Sequence, residues 1–387
     1  MARCSCPAKN KLAERKIVKK LFSMSLLPKL TMIVPTFNRQ SYALRTMHYW
    51  SGSGVILHVL DGSPKELDVK LLQKIDTNVN YHHMPISIIE RLKQSIRYLI
   101  TEYTLLAGDD DIFLPSSLEK CINEIEVNKD LVSCMGRSLA FLSDGFEVRG
   151  WPVYEEMKEY SISQDDPIER MIYTMNPYTC SKIHSVVQTN VWKKAMIVLV
   201  EKDFKVAGLE ELQFELAVSY LGKSKAIEEL MLLRSSENTP IIKSQPWLKG
   251  VPDWWKEKKM KQDREVFLEI MSSRLGDGDL NNTRRIYDGT RLAMDVYTAQ
   301  YNHKKSFVKK LHQKIHFGLT SLLPGNFKDF LKTVINLNPT EKKEDHISLV
   351  EAANNLEDTG VRVDFKELNQ IVNIVQDFHS KNKIFDN

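Results

Sequence analysis

Three short stretches in the first third of the chain place polar and acidic side chains directly after apolar runs. They are Pro35-Thr36-Phe37-Asn38-Arg39, Asp61-Gly62-Ser63 and Asp109-Asp110-Asp111. Three adjacent carboxylates on one turn repel each other unless something positive neutralises them. A divalent cation with oxygen ligands, Mn²⁺ or Mg²⁺, does that and then holds substrate phosphates. The acids also fit a plainer role as a negative cap on the helix that follows Pro115, since carboxylates favour that end.

The elements around these stretches alternate. Leu30–Val34 is a β-branched run stopped by Pro35, and Gln40–Trp50 carries helical periodicity. Val55–Leu60 reads as a buried strand ending in an Asp-Gly-Ser-Pro turn. Helix is expected over Leu67–Ile75 and Ile86–Ile100, with brief strands at Val79–His82 and Tyr103–Ala107. Leu118–Val127 then reads as helix, and Leu131–Phe141 as an apolar strand. This alternation predicts right-handed crossovers and a mostly parallel sheet, whose strand ends converge on one crevice. The three polar stretches all lie at such ends. From 165 to 240 helices dominate, apart from a late strand at Ala226–Leu233. Beyond about 245 the pattern is almost wholly helical: Trp254–Arg274, Asn282–Tyr301, Lys304–Leu323, Phe327–Asn336, Ser348–Leu356 and Phe365–Phe378.

In their order and spacing, the motifs of residues 30–120 resemble the nucleotide-sugar-binding half of a family 2-type glycosyltransferase with the GT-A fold. Thr31-Met-Ile-Val-Pro-Thr-Phe-Asn-Arg39 resembles the family's opening strand and its nucleotide-contacting loop. The resemblance therefore implies donor contacts from Pro35, Thr36, Phe37, Asn38 and Arg39. Val59-Leu-Asp-Gly-Ser63 resembles the family's Val-Asp-Asp-Gly-Ser element, whose acid contacts the base; Asp61 takes that place. Glu102 to Pro115 resembles the acidic motif that binds metal and diphosphate. Aligned on Ile112 and Pro115, the first acid of that motif falls on Gly108. Either Asp109 and Asp111 or Asp110 and Asp111 then form the metal pair. Asp111 serves in both, and Asp109 and Asp110 are also implied donor contacts. Arg91 stands nearly where the family has an Arg-Asn supporting the sugar phosphate, without the Asn. It reads either as that support or as an exposed helix arginine.

On the acceptor side, Gly208-Leu-Glu-Glu-Leu resembles the family's Glu-Asp helix start, where a carboxylate acts as general base. Glu211 matches the second position and Glu210 the first. Two glutamates in a first helical turn are also simply a good N-terminus. His82 and His83 cannot both ligate a metal, because adjacent strand residues face opposite ways. Trp247, Trp254 and Trp255 fit either sugar stacking or core packing.

The resemblance implies an α/β GT-A fold: a Rossmann-like, mostly parallel sheet flanked by helices, with an all-helical C-terminal region. It divides the chain into a basic extension (1–29), a catalytic domain (30–240) and that helical region (241–387). The implied activity is metal-dependent, inverting transfer from a nucleotide sugar, UDP-sugar first, to the hydroxyl of a glycan or lipid-linked acceptor in surface-glycan or glycoconjugate assembly. Two rivals stand: a catalytically silent carbohydrate-binding scaffold, and a nucleotidyltransferase. The latter usually brings a Gly-rich phosphate loop, and Pro35–Arg39 has no glycine.

A formal charge of +4 over 387 residues is too small to imply nucleic acid binding. No apolar run approaches a membrane span. Five scattered cysteines read as reduced thiols, so a cytoplasmic location is expected, including the inner membrane face. Two segments fit contact with anionic lipid: residues 1–30, with eight Lys/Arg and one acid, and His303–Lys328, with six lysines and no acid. Solvated faces give the same pattern. If either segment is interfacial, sedimentation with anionic vesicles falls steeply with salt, each lysine near the surface contributing ~1 kcal/mol. Equal sedimentation with neutral and anionic vesicles reduces both to ordinary solvated faces.

Overall fold

The computed structural model describes residues 25–238, 248–301 and 347–382. Residues 1–24 of the basic segment, Trp247 and the helices expected at Lys304–Leu323 and Phe327–Asn336 lie outside them.

Four strands form the half of the sheet that carries the polar loops: β1 (Leu30–Thr36), β2 (Ile56–Asp61), β3 (Val79–His83) and β4 (Tyr103–Leu106). β2 and β4 flank β1 and β3 pairs with β2, all in parallel. Within β1, Met32 and Val34 feed one apolar core and Ile33 the other, so the strand is buried on both faces. That explains its unbroken apolar run. Helix α1 (Gln40–Trp50) covers the first core with Ala43, Met47 and Trp50. The helix expected over Leu67–Ile75 forms only as α2 (Val69–Leu72), with no buried residue. The one expected over Ile86–Ile100 forms as α3 (Ile88–Ser95), where Ser87 caps the N-terminus, and ends in a 3-10 turn at Ile96–Tyr98.

The other half is mixed. After the acidic turn come β5 (Ile112–Phe113), α4 (Pro115–Val127), β6 (Leu131–Ser143), β7 (Val148–Val153) and β8 (Ser161–Ile162). Next are α5 (Pro167–Thr174), β9 (Val186–Gln188), α6 (Thr189–Leu199), β10 (Val206–Ala207), α7 (Leu209–Leu221) and β11 (Lys223–Ser235). β9 joins the halves, pairing antiparallel with both β4 and β6, while β11 runs parallel to β6. β11 also pairs antiparallel with β5 directly after the acidic turn, placing the two chain segments side by side.

The C-terminal helices share cores with this sheet. β12 (Lys249–Gly250) precedes α8 (Val251–Lys256), α9 (Lys261–Leu275) and α10 (Leu280–Ala299), whose apolar faces join the core of α5, α6 and α7. Trp254 is buried there, and Trp255 donates to Asp295, so both tryptophans are packing residues. β13 (Ile347–Ser348) extends the sheet beside β7, so among the described residues the C-terminal region is helical apart from two two-residue strands. α11 (Leu349–Glu357) and α12 (Phe365–Asn382) form a third core with β6 and β7. No helix among the described residues is long and apolar enough to cross a membrane.

The β6–β11 register breaks between Ala226 and Leu230, and Gly136 sits opposite that bulge. A Cβ at Gly136 would meet Glu229 O at 2.3 Å and Met231 Cβ at 2.6 Å. Because backbone must move to admit it, Gly136→Ala should cost ~1–3 kcal/mol in urea unfolding. An unchanged midpoint would show that the bulge yields freely.

Candidate active site

The ends of β1, β2 and β4 are tied into one wall. Asp109, with no exposed surface, accepts from Thr36 Oγ1 at 2.6 Å. Arg39 brackets the same carboxylate, with NH2 2.5 Å from Oδ1 and Nε 3.2 Å from Oδ2. Burial pushes the Asp109 carboxyl up to about 6, while Arg39 and Thr36 act against that rise. Arg39 NH1 reaches on to Asp110 Oδ2 at 3.1 Å. The loop after β1 thus answers two of the three acids with one guanidinium.

Asp61, also without exposed surface, organises the second loop. Its Oδ1 accepts from Ser63 N at 2.8 Å, and its Oδ2 from Gln40 Nε2 at 2.6 Å and Tyr81 OH at 2.7 Å. Burial pushes this carboxyl up, but those bonds outweigh it and hold it below the usual range. Asn38 N donates to Ser63 Oγ at 2.8 Å, with Asn38 in the left-handed region at φ 55°. An open cleft of about 350 Å³ is lined by Asn38, Gln40, Ser63, Pro64 and Lys65. Phe37 projects from the loop at 55% exposure, and Pro35 is half-buried.

Arg91 lies behind this wall. Its NH1 donates to Thr36 O at 2.6 Å and Leu60 O at 2.5 Å, joining the last turns of β1 and β2. Gly62 rests against the guanidinium, since a Cβ there would meet Arg91 Cζ at 2.6 Å. Arg91 is buried, not an exposed helix arginine, and it bonds main-chain carbonyls. His82 and His83 turn to different partners, as alternation requires: His82 meets His58 at 3.0 Å, and His83 donates to Ser63 O at 2.8 Å.

The acids diverge. Asp110 Oδ2 accepts from Asn238 Nδ2 at 2.6 Å, and Asp111 Oδ1 from Ser235 N at 2.9 Å. Their other oxygens turn together over Gly108. A Cβ at Gly108 would lie 2.7 Å from Asp111 Oδ2 and 3.2 Å from Asp110 Oδ1, and neither oxygen has a hydrogen bond among the described residues. The missing first acid of the motif is thus a missing side chain that leaves room. Asp109 instead spends its carboxylate on Thr36 and Arg39. Burial raises the Asp111 carboxyl, and the His184 imidazole acts against that. Among the described residues no three His, Cys, Asp or Glu side chains converge as a complete metal cage.

Across from Asp111, α7 opens at Gly208, which has φ 81°. Glu211 accepts from Tyr178 OH, and the Cys180 thiol lies beside it. Exposed Arg234 joins the two sides: it donates to Tyr154 OH, and both Asp111 and Glu211 act on its charge. Glu210 has Asp203 and Lys205 as charged neighbours besides Glu211, and burial raises its carboxyl. Glu215, one turn beyond Glu211, is fully buried and accepts from the backbone N–H groups of Ser181, Lys182 and Ile183 at 3.0, 2.6 and 3.1 Å. Lys182 Nζ stands 3.3 Å away. This staple holds the segment that carries Tyr178, Cys180 and His184 against α7. Sequence reading passed over Glu215, although a lone acid within Phe214-Glu215-Leu216-Ala217-Val218 marks a buried polar anchor.

Among solved structures the chain is similar to S. aureus TarS 1–349, at 12% identity and TM-score 0.47, covering 79% of this chain and 86% of that one. The same protein in complex with UDP-GlcNAc matches at 14% identity and TM-score 0.45, again over 79% and 86%. Its complex with UDP matches at 12% identity and TM-score 0.40, over 71% and 93%. No curated protein sequence matches. The family model of glycosyl transferase family 2 matches residues 31–182, which span the three polar loops and the acidic turn. Residues 31–182, built on a mixed α/β sheet flanked by helices, thus match a glycosyl transferase family 2 domain, and that match supports a glycosyltransferase.

Proposed function

We propose that the chain transfers a sugar from a nucleotide-diphosphate donor, UDP-sugar first, to the hydroxyl of a glycan or lipid-linked acceptor, with inversion, in surface-glycan or glycoconjugate assembly. The observation that carries this reading is the facing pair of walls. Strand-end loops bearing Asp61 and the acidic turn form one side, Glu211 forms the other, and Arg234 lies between them.

In this reading the nucleoside enters the cleft lined by Asn38, Gln40 and Ser63. Asp61 acts by holding Gln40 and Ser63 in place. Thr36 and Arg39 keep the Asp109 end of the wall rigid, and Arg91 fixes the two loops from behind. The free oxygens of Asp110 and Asp111 over Gly108 suit Mn²⁺ or Mg²⁺, which takes oxygen ligands and leaves further positions to diphosphate and water. When bound, the cation neutralises charge on the departing diphosphate. Exposed Arg234 supplies fixed positive charge beside the same position. Glu211, oriented by Tyr178, removes the proton of the acceptor hydroxyl, while Glu210 lies outside the reaction path.

Glu211→Gln keeps the shape and removes the basicity. It should cut the kcat of transfer, or of donor hydrolysis with water as acceptor, by ~10²–10⁴ while donor KM stays near normal. Glu210→Gln should stay within about threefold of wild type. Full turnover by Glu211→Gln would place the base elsewhere. Asp111→Asn should abolish the Mn²⁺ dependence of nucleotide binding and leave the melting transition in place. Turnover at the wild-type rate by that variant, in the presence of chelator, would rule out the metal assignment.

A further inference from the structure

The start of α12 reaches the helix that follows the acidic turn, and its end reaches α1 and Glu237. Near its start, Glu367 accepts from Ser116 N at 3.1 Å and Ser116 Oγ at 2.8 Å, at the head of α4. Near its end, Phe378 and His379 close over α1. The Arg45 guanidinium packs against two rings that also touch each other, its Cζ 4.9 Å from the centroid of Tyr42 and 4.7 Å from that of Phe378. Arg45 NH2 donates to Asp110 O at 2.9 Å, and NH1 pairs with Glu237 Oε2 at 3.1 Å. The side chains of that pair are 3% and 2% exposed. His379 Nε2 takes the other oxygen of Glu237, and Asn238, the next residue, holds the Asp110 carboxylate.

A nearly dry Arg–Glu pair pays a desolvation cost and holds only if its remaining polar positions are filled. Here part of the filling comes from α12 and part from Ser235, whose Oγ donates to Glu237 Oε2 at 3.2 Å, while Arg45 Nε has no partner among the described residues. Phe378 covers one face of the guanidinium, and His379 completes the carboxylate. Without them water enters, and the Asp110 carbonyl loses its fixed donor.

We propose that Phe378 and His379 are positioning residues of the donor site, setting the Asp110–Asp111 turn through Arg45 and Glu237. The inference rests on the reading of that turn as part of the donor site. α12 is held on the sheet by Leu368, Ile371 and Val375, all buried, so variants at 378 and 379 leave its main anchors in place.

The test is calorimetric titration of the full chain with UDP and MnCl₂. Phe378→Ala and His379→Leu should each weaken UDP binding about tenfold, the scale of one charge-assisted contact. His379→Gln, whose amide N–H can still donate to Glu237, should bind within about threefold of wild type. Wild-type affinity in both Phe378→Ala and His379→Leu would make α12 a passive cover and overturn the proposal. So would equal weakening in His379→Leu and His379→Gln, which would point to bulk and not to the hydrogen bond. If wild type itself binds none of UDP, GDP, CDP or dTDP, the donor-site reading fails and takes this inference with it.

Discussion

Asp109 is an acid with no contact with water at the end of a buried strand, and its neutralisation sets the geometry of everything around it. Its partners, Thr36 and Arg39, come from the end of the neighbouring strand and the loop after it. Satisfying the one carboxylate therefore fixes the spacing of two strand ends. Arg91 makes the matching tie from beneath, between the carbonyls of Thr36 and Leu60. A buried polar group left without its partner costs more than the bond is worth when made. The loops of β1, β2 and β4 consequently stand or fall together.

That constraint also divides the acids by role. With Asp109 spent on Arg39, Asp110 and Asp111 each keep one oxygen without a hydrogen bond among the described residues, and both face the space that Gly108 leaves. The opposite wall follows the same logic. Glu215 is buried so that the segment after α5 is stapled to α7, and the staple presents Tyr178 to Glu211. On each side of the cleft a fully buried acid builds the wall, and a more accessible acid faces the opening.

The donor half was legible because its signals are local. β1 and β2 are short, apolar and buried on both faces, β2 is followed by Gly62, and none of that needs distant context, although β1 runs one residue past the Pro35 expected to stop it. The acidic turn declared itself by composition. What stayed hidden depends on contacts far apart in sequence. The partnership of Arg39 with Asp109 spans 70 residues, and that of Ser116 with Glu367 spans 251. Arg91 allowed two readings from sequence, support or exposed arginine, because a helix position does not reveal which main-chain carbonyls it will meet. The predicted helix over 86–100 is shorter in the structure because Ser87 caps it late and a 3-10 turn closes it early. β7 and β9 escaped notice: one carries Gly150 and Pro152, and the other is only three residues long. The approach of α12 to α1 had no local signal, since an amphipathic helix shows which face is apolar but not what it will cover.

The central claim is that the three strand-end loops form one site for a nucleotide diphosphate and a divalent cation. A thermal-shift panel of UDP-, GDP-, CDP- and dTDP-sugars, each with Mn²⁺ and with chelator, tests it directly. One nucleotide series should raise the melting temperature in the presence of Mn²⁺, with ~2.7 kcal/mol of stabilisation when the ligand stands at 100 times its Kd. The rise should vanish with chelator. A melting temperature unmoved by every nucleotide at millimolar concentration, or a rise that chelator leaves intact, would contradict it.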